Sequence, residues 1–321
     1  MRAVRFHEHG GPEVLQVDDV DRPEPASDEV LVAVAAAGVN PVDTYFREGS
    51  YTPYGLPAIP GVDAAGEAVE VGADVDRIAA GDAVFATGLS SDRPGGYAEY
   101  VAVPEDRIAV LPDGADLTAA GGAGVASVTA WRALVDHGGL RPAETALIHG
   151  GSGGVGHVAV QVAAATGARV ITTAAPQYHD RLEALGADAV FDYGRDDLAD
   201  AVTDATGGDG VDVTLDHRLD DYLQFDADVA AAGGRVVGIG ENDDEIGLAR
   251  SSAARGKDLQ VTLLSMFNTP RLADPLADVA ALWAAGDLTV DVARTYPIVE
   301  AVEAQRDVMA DSFLGKLVIE P

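Results

Sequence analysis

The stretch LIHGGSGGVGHVAVQVAAATGARVITTA, residues 147–174, limits the fold more than any other. Glycines crowd positions 150–156, with an apolar run directly before them and a helical pattern directly after. A flexible linker would not be flanked so tightly. Leu147 and Ile148 read as a buried strand. Val155, Val158, Ala159 and Val162 repeat at helical spacing, and Arg169 to Thr173 reads as a second strand. The glycines therefore mark a strand-to-helix turn inside a βαβ unit. Gly150, Gly153 and Gly156 fall three residues apart. A tight turn there needs positive φ, which glycine reaches without a Cβ clash. Backbone N–H groups and the partial positive charge of a helix N-terminus would then face an approaching phosphate. Ser152, Gly154 and Val155 complete this candidate cradle. A turn that only lets helix and strand pack is the plainer reading, and the βαβ context argues against it.

Charge narrows the partners. Asp and Glu number 53 against 21 Lys and Arg, a formal net charge of −32. Lys257 and Lys316 are the only lysines. The acids are scattered through segments such as GRDDLADAVTDATGGDG, interrupting apolar periodicity without replacing it. A disordered acidic tail would form one block. An acidic shell on an ordinary core suits a cytoplasm of very high salt, where screening is short. The same charge opposes nucleic acid and anionic membranes as partners. No apolar run is long enough to span a bilayer, and MRAVRFHEHGG lacks a signal-peptide core, so a cytoplasmic protein is expected. With no cysteine, disulfides, thiolate metal sites and cysteine nucleophiles are excluded together. The histidines, among them His149 and His157 flanking the glycine loop, show no ligand-pair spacing, and no metal site is expected.

Residues 1–123 read as a β-rich, barrel-like domain, with short strands near 1–6, 29–36, 66–71, 82–86 and 97–103 separated by Pro and Gly. From 124 to 270 strands and helices alternate. Candidate strands at 145–149, 169–173, 188–191, 211–216, 235–239 and 259–264 predict a doubly wound parallel sheet, a Rossmann domain. Residues 271–321 predict helices near 272–285 and 298–309 and a last strand in GKLVIEP that returns to the first domain. The fold class is α/β with these two domains.

The motifs, taken in order, resemble the zinc-independent quinone oxidoreductases of the medium-chain dehydrogenase/reductase superfamily, the zeta-crystallin-like group. AAAGVNPVDTYFREGSY (35–51), IPGVDAAGEAVEVG (59–72), GDAVFATG (81–88), GGYAEYVAVP (95–104), GVASVTAWRAL (124–134), HGGSGGVGHVAVQVA (149–163), LGADAVFDY (185–193), AAGGRVVGIG (231–240) and GKLVIEP (315–321) carry the resemblance nearly end to end. It implies a chaperonin-10-like catalytic domain, an NADPH cofactor, a quinone or α,β-unsaturated carbonyl as substrate, and a homodimer paired through the edge strand near 259–264. Zinc-dependent relatives carry a cysteine where this chain has Asn40 and a histidine where it has Val62.

For the cofactor, the strand 169–173 runs on as TTAAPQYHDRL, with no acid before Asp180. An acid there would hold ribose hydroxyls and repel a 2′-phosphate, so its absence favours NADPH. The family's lysine for that phosphate aligns with Tyr178; Thr173, Tyr178 and Arg181 are the candidates to replace it. Tyr193 matches a position near the adenine–ribose end, Gly240 closes the AAGGRVVGIG segment, and Thr129 matches a position that faces the nicotinamide. DHRLDDY (216–222) replaces the family's small residues with His217, Arg218 and Leu219, which alters either the loop or the pocket.

For the chemistry, Asn40, Tyr45 and Tyr51 match the polar substrate positions: an amide N–H and a phenol O–H donate without a formal charge. Asp43 and Arg47, four apart, read as a helix ion pair. Two other functions fit the same residues: an enoyl reductase with a longer acyl pocket, or a nucleotide-binding sensor or structural protein with little turnover. The acidic composition generates one prediction. Thermal unfolding followed against KCl should show stability rising steeply with salt, and full stability in dilute buffer would remove the halophilic reading.

Overall fold

Short apolar segments punctuated by Pro and Gly form the first strands: β1 (Arg2–Phe6), β2 (Leu15–Asp19), β3 (Glu29–Val39), β4 (Ala64–Val71), β5 (Ala83–Ala86), β6 (Tyr100–Pro104) and β7 (Ile108–Val110). β3 pairs antiparallel with β4 and with β6, and β5 bridges β4 and β7. β3 is buried on both faces along most of its length, which explains why its sequence, EVLVAVAAAGV, is nearly continuously apolar. Val30 and Val32 meet Val84, Val101 and Ile108 in the core. β2 lies where the sequence suggested no strand; it pairs with β1. Tyr97–Glu99, expected in a strand, form a bend from which Ala98 bridges Ala3. Three helices belong to this stretch: α1 (Pro41–Glu48), α2 (Leu117–Gly121) and α3 (Gly124–Trp131).

The computed structural model describes residues 1–310 and 312–321. They form two compact units, Thr129–Asn268 and the remainder, Met1–Val128 with Thr269–Pro321.

The second unit holds β8 (Thr145–Ile148), β9 (Arg169–Thr173), β10 (Ala189–Phe191), β11 (Val211–Asp216), β12 (Ala230–Gly238) and β13 (Gln260–Leu263). All pair in parallel, in the order β10-β9-β8-β11-β12-β13. This is the doubly wound order, with its switch point at the C-terminal end of β8. The helices are α4 (Gly154–Ala165), α5 (His179–Ala184), α6 (Leu198–Ala205), α7 (Leu219–Val229) and α8 (Ser251–Arg255). β12 starts five residues earlier than the sequence suggested, because α7 ends at Val229 and hands directly to Ala230.

The chain then returns to the first unit through α9 (Ala273–Ala285), β14 (Val292–Pro297), α10 (Ala301–Ala310) and β15 (Lys316–Glu320). β15 pairs parallel with β14 and antiparallel with the last residues of β3, Leu317 opposite Val39.

Beneath the glycine turn lies a buried polar chain. The Gly150 N–H donates to Thr173 Oγ1 at 3.1 Å, and that hydroxyl lies 3.5 Å from His149 Nδ1. His149 Nε2 lies 2.9 Å from Asp226 Oδ1, and the Tyr222 ring stacks on the imidazole at 4.5 Å. Burial pushes His149 down to about 4, so it is neutral and donates Nε2–H to Asp226. Asp216 Oδ1 accepts the Arg218 N–H at 2.8 Å. The Oδ2 atoms of Asp216 and Asp226 find no donor among the described groups. The two carboxyls meet, and one proton shared between them satisfies both. Burial drives both upward, Asp226 to about 8.

As pH rises above about 3.8 the unfolded Asp226 loses its proton while the folded one keeps it until about 8, so stability falls with pH across that window. His149 acts oppositely below its ordinary value of 6.5, where only the unfolded form binds a proton. Asp216 and Asp43, raised to about 7, add to the decline below that value, so the Asp226 contribution stands clear between about pH 7 and 8. Asp226→Asn should flatten it in thermal unfolding at constant high salt. An unchanged slope would remove the carboxyl pair as its source.

Candidate functional site

The candidate nucleotide-binding elements lie at the switch point. β8 ends at Ile148, and Gly150 turns the chain with φ +66, a conformation that strains any residue with a Cβ. α4 begins at Gly154, and Gly153 precedes it without a capping side chain. Its first N–H groups carry the helix's partial positive charge and lack an intrahelical acceptor, which suits a phosphate. A Cβ on Gly156 would stand 2.1 Å from the Gly150 carbonyl oxygen, so glycine there is what lets helix and turn touch. Ser152, Gly153, Gly154 and Val155 line the half-exposed side of this turn.

The other nucleotide candidates distribute around the turn. Thr173 is buried, with its hydroxyl beneath Gly150 as part of the scaffold. Tyr178, half-buried, ends the 3₁₀ turn after β9, and Arg181 lies exposed in the first turn of α5. Tyr193 follows β10, the strand beside β9, and is 55% exposed. Gly240 follows β12, and its carbonyl accepts the Leu219 N–H at 3.1 Å. Thr129 is buried on α3. In the altered 216–222 segment, α7 starts at Leu219, with only His217 and Arg218 between it and β11. The added bulk lies against the loop: the point where a Gly150 Cβ would sit is 2.7 Å from the exposed His217 ring.

The substrate candidates sit on α1. Pro41 opens the helix and Gly49 closes it in the left-handed conformation. Tyr45 and Tyr51 are both exposed and meet edge to face at 5.7 Å, with Phe46 edge-on to Tyr51 at 5.6 Å. Asn40, by contrast, is 3% exposed. Its Nδ2 donates to Asp63 Oδ2 at 2.9 Å, and its Oδ1 accepts from Lys316 Nζ. Lys316 also donates to the Val39 carbonyl at 3.3 Å.

Asp43 and Arg47 do not pair. The Asp43 carboxylate is fully buried and accepts the Asn40 N–H and the Val62 N–H, each at 2.8 Å, and the Tyr97 hydroxyl at 3.3 Å. Arg47 turns the other way, to Gln305 Oε1 at 2.7 Å, the Gly10 carbonyl and Glu48. Backbone N–H groups satisfy the buried carboxylate in place of the guanidinium, and helical spacing alone could not reveal them. Burial raises Asp43 to about 7 against the pull of those N–H groups; burial also raises Asp63 and lowers Lys316.

Asp63, Lys316 and Asp226 were not singled out by the sequence reading. Lys316 carried a signal: it is one of two lysines and is followed by LVI in an apolar strand. Asp226 carried another, falling at helical spacing from the buried Leu219 and Leu223. Val62 is buried, and no cluster of three or more His, Asp or Glu arranged to hold a metal ion occurs among the described residues.

Residues 26–113 match the alcohol dehydrogenase GroES-like domain family and residues 185–319 the zinc-binding dehydrogenase family. The quinone oxidoreductase of Lama guanicoe is 34% identical over 99% of this chain and 97% of its own length. The quinone oxidoreductase of Homo sapiens is 33% identical with the same coverage. The crystal structure of Escherichia coli quinone oxidoreductase complexed with NADPH superposes with a TM-score of 0.87 at 30% identity, covering all of both chains. The GroES-like strands, the doubly wound sheet and this end-to-end similarity make the chain an oxidoreductase of the medium-chain dehydrogenase/reductase superfamily, belonging to its quinone oxidoreductase family.

Proposed function

We propose that the chain is an NADPH-dependent reductase that transfers a hydride to a quinone or an α,β-unsaturated carbonyl. The glycine turn carries the reading: positive φ at Gly150, an uncapped α4 N-terminus and no room for a Cβ at Gly156 form a phosphate cradle at the switch point of a parallel sheet. Thr173 Oγ1 holds the Gly150 N–H and so fixes the shape of the turn. NADPH, when bound, supplies the hydride. Beyond β9, Ala174 to His179 offers no carboxylate to oppose a 2′-phosphate, while Tyr178 and Arg181 offer donors. The Tyr45–Tyr51 pair gives a planar acceptor an aromatic wall, and the Tyr45 hydroxyl and an Asn40 N–H donate to its carbonyl oxygen as negative charge grows there. β13 is an edge strand with Leu263 64% exposed, which favours pairing with a second copy of the chain in a homodimer.

Two measurements test this. Fluorescence titration should give NADPH at least about tenfold tighter binding than NADH, and Arg181→Ala should weaken NADPH alone. Equal weakening of both nucleotides would make Arg181 a fold residue. Tyr45→Phe should lower kcat by about tenfold to a hundredfold with NADPH affinity unchanged, because the donor acts mainly on the transition state. Unaltered kcat would reduce Tyr45 to a packing residue.

A further inference from the structure

Among the polar groups of α1 and its neighbours, Asn40 is held from both ends. An asparagine amide can present either its oxygen or its nitrogen to a ligand, and rotation about its last torsion exchanges them. Here Asp63 Oδ2 accepts one Nδ2–H at 2.9 Å, while Lys316 Nζ donates to Oδ1. The Lys316 side chain comes from β15, Asp63 precedes β4, and Asn40 follows β3. Each partner is fixed in turn. Asp63 Oδ1 accepts the Val125 N–H at 2.8 Å, and Lys316 also donates to the Val39 carbonyl. Gly124 and Gly38 leave space for the Asp63 carboxylate: a Cβ on either would stand 2.4 Å and 3.0 Å from its oxygens. Asp63 is completely buried and Lys316 is 4% exposed, so neither group is a solvated surface charge.

The flipped amide would direct Nδ2 at an ammonium and Oδ1 at a carboxylate, two repulsive contacts inside a low dielectric. The unflipped amide keeps one N–H outside the network. The cation on Oδ1 also draws electron density through the amide, which makes that N–H a stronger donor. We infer that Lys316 and Asp63 are positioning residues that lock the Asn40 amide in the donor orientation needed at a carbonyl oxygen. Neither is assigned a contact with substrate. The inference rests on the reading of Asn40 as a donor in the reductase reaction, and it names what enforces that role.

The test reads both amide geometry and rate. The chain has three asparagines, Asn40, Asn242 and Asn268, so selective ¹⁵N-asparagine labelling gives three side-chain amide pairs. The pair lost in Asn40→Ala identifies Asn40. In the native protein its protons should be shifted and slow to exchange, and Lys316→Met should move it to the position of a mobile amide. With an enone acceptor, Lys316→Met should lower kcat about tenfold with NADPH affinity unchanged. Lys316→Arg should restore most of the loss, and Lys316→Met combined with Asn40→Ala should be no slower than Asn40→Ala alone. Lys316→Gln keeps a neutral donor and provides the same comparison if the Met variant does not fold. A folded Lys316 variant with native kcat and a native Asn40 signal overturns the inference, as does an additive double variant. Native kcat in Asn40→Ala would instead overturn the donor reading itself, and with it the function assigned to the clamp.

Discussion

A carboxylate taken out of water must find its hydrogen bonds among groups that cannot move away, and Asp43 shows what this imposes. Its oxygens gather the Asn40 N–H at the start of α1, the Val62 N–H before β4 and the Tyr97 hydroxyl before β6. Three segments distant in sequence are thereby pinned to one side chain. An unsatisfied buried charge is expensive, so the backbone around it has little freedom. The position of α1, and with it the exposed Tyr45–Tyr51 pair, depends on that anchor. Asp63 and Lys316 extend the same logic by surrounding Asn40 with opposite charges.

What the sequence could and could not reveal follows from the range of the interactions. The glycine turn was legible because its constraints are local: the flanking strand, the turn and the helix are consecutive. The doubly wound sheet was legible for the same reason, since each strand and helix announces itself by its own periodicity. The polar networks were not legible. Asp43 bonds to Val62 and Tyr97, Asn40 to Lys316, and His149 to Asp226, and no spacing rule links residues so far apart. Asp43 and Arg47 show how local reasoning misleads. Four-residue spacing permits an ion pair on a solvated helix face, but both side chains are buried and each finds fixed partners elsewhere.

The two units show a shared way of handling buried acids. Asp216 and Asp226 retain a proton between them, whereas Asp43 and Asp63 rely on amides and a nearby ammonium. Both arrangements keep full negative charge from accumulating in the interior of a chain whose formal net charge is −32. The altered 216–222 segment belongs to this pattern. It holds Asp216 at the end of β11, where its carboxyl accepts the Arg218 N–H, and sets the His217 ring against Gly150 of the glycine turn.

The return of β15 to β3 has a consequence for synthesis. Thr129–Asn268 is continuous and can close its sheet once residue 268 has left the ribosome. The unit that starts at Met1 waits longer, because Leu317, Val318 and Ile319 supply the partners of Val39, Gly38 and Ala37. The part of the molecule begun first is therefore finished last. Until then the end of β3, Ala37 to Val39, lacks its β15 partner, and in a growing polypeptide such an open edge is a place for a chaperone to bind or for two nascent chains to join.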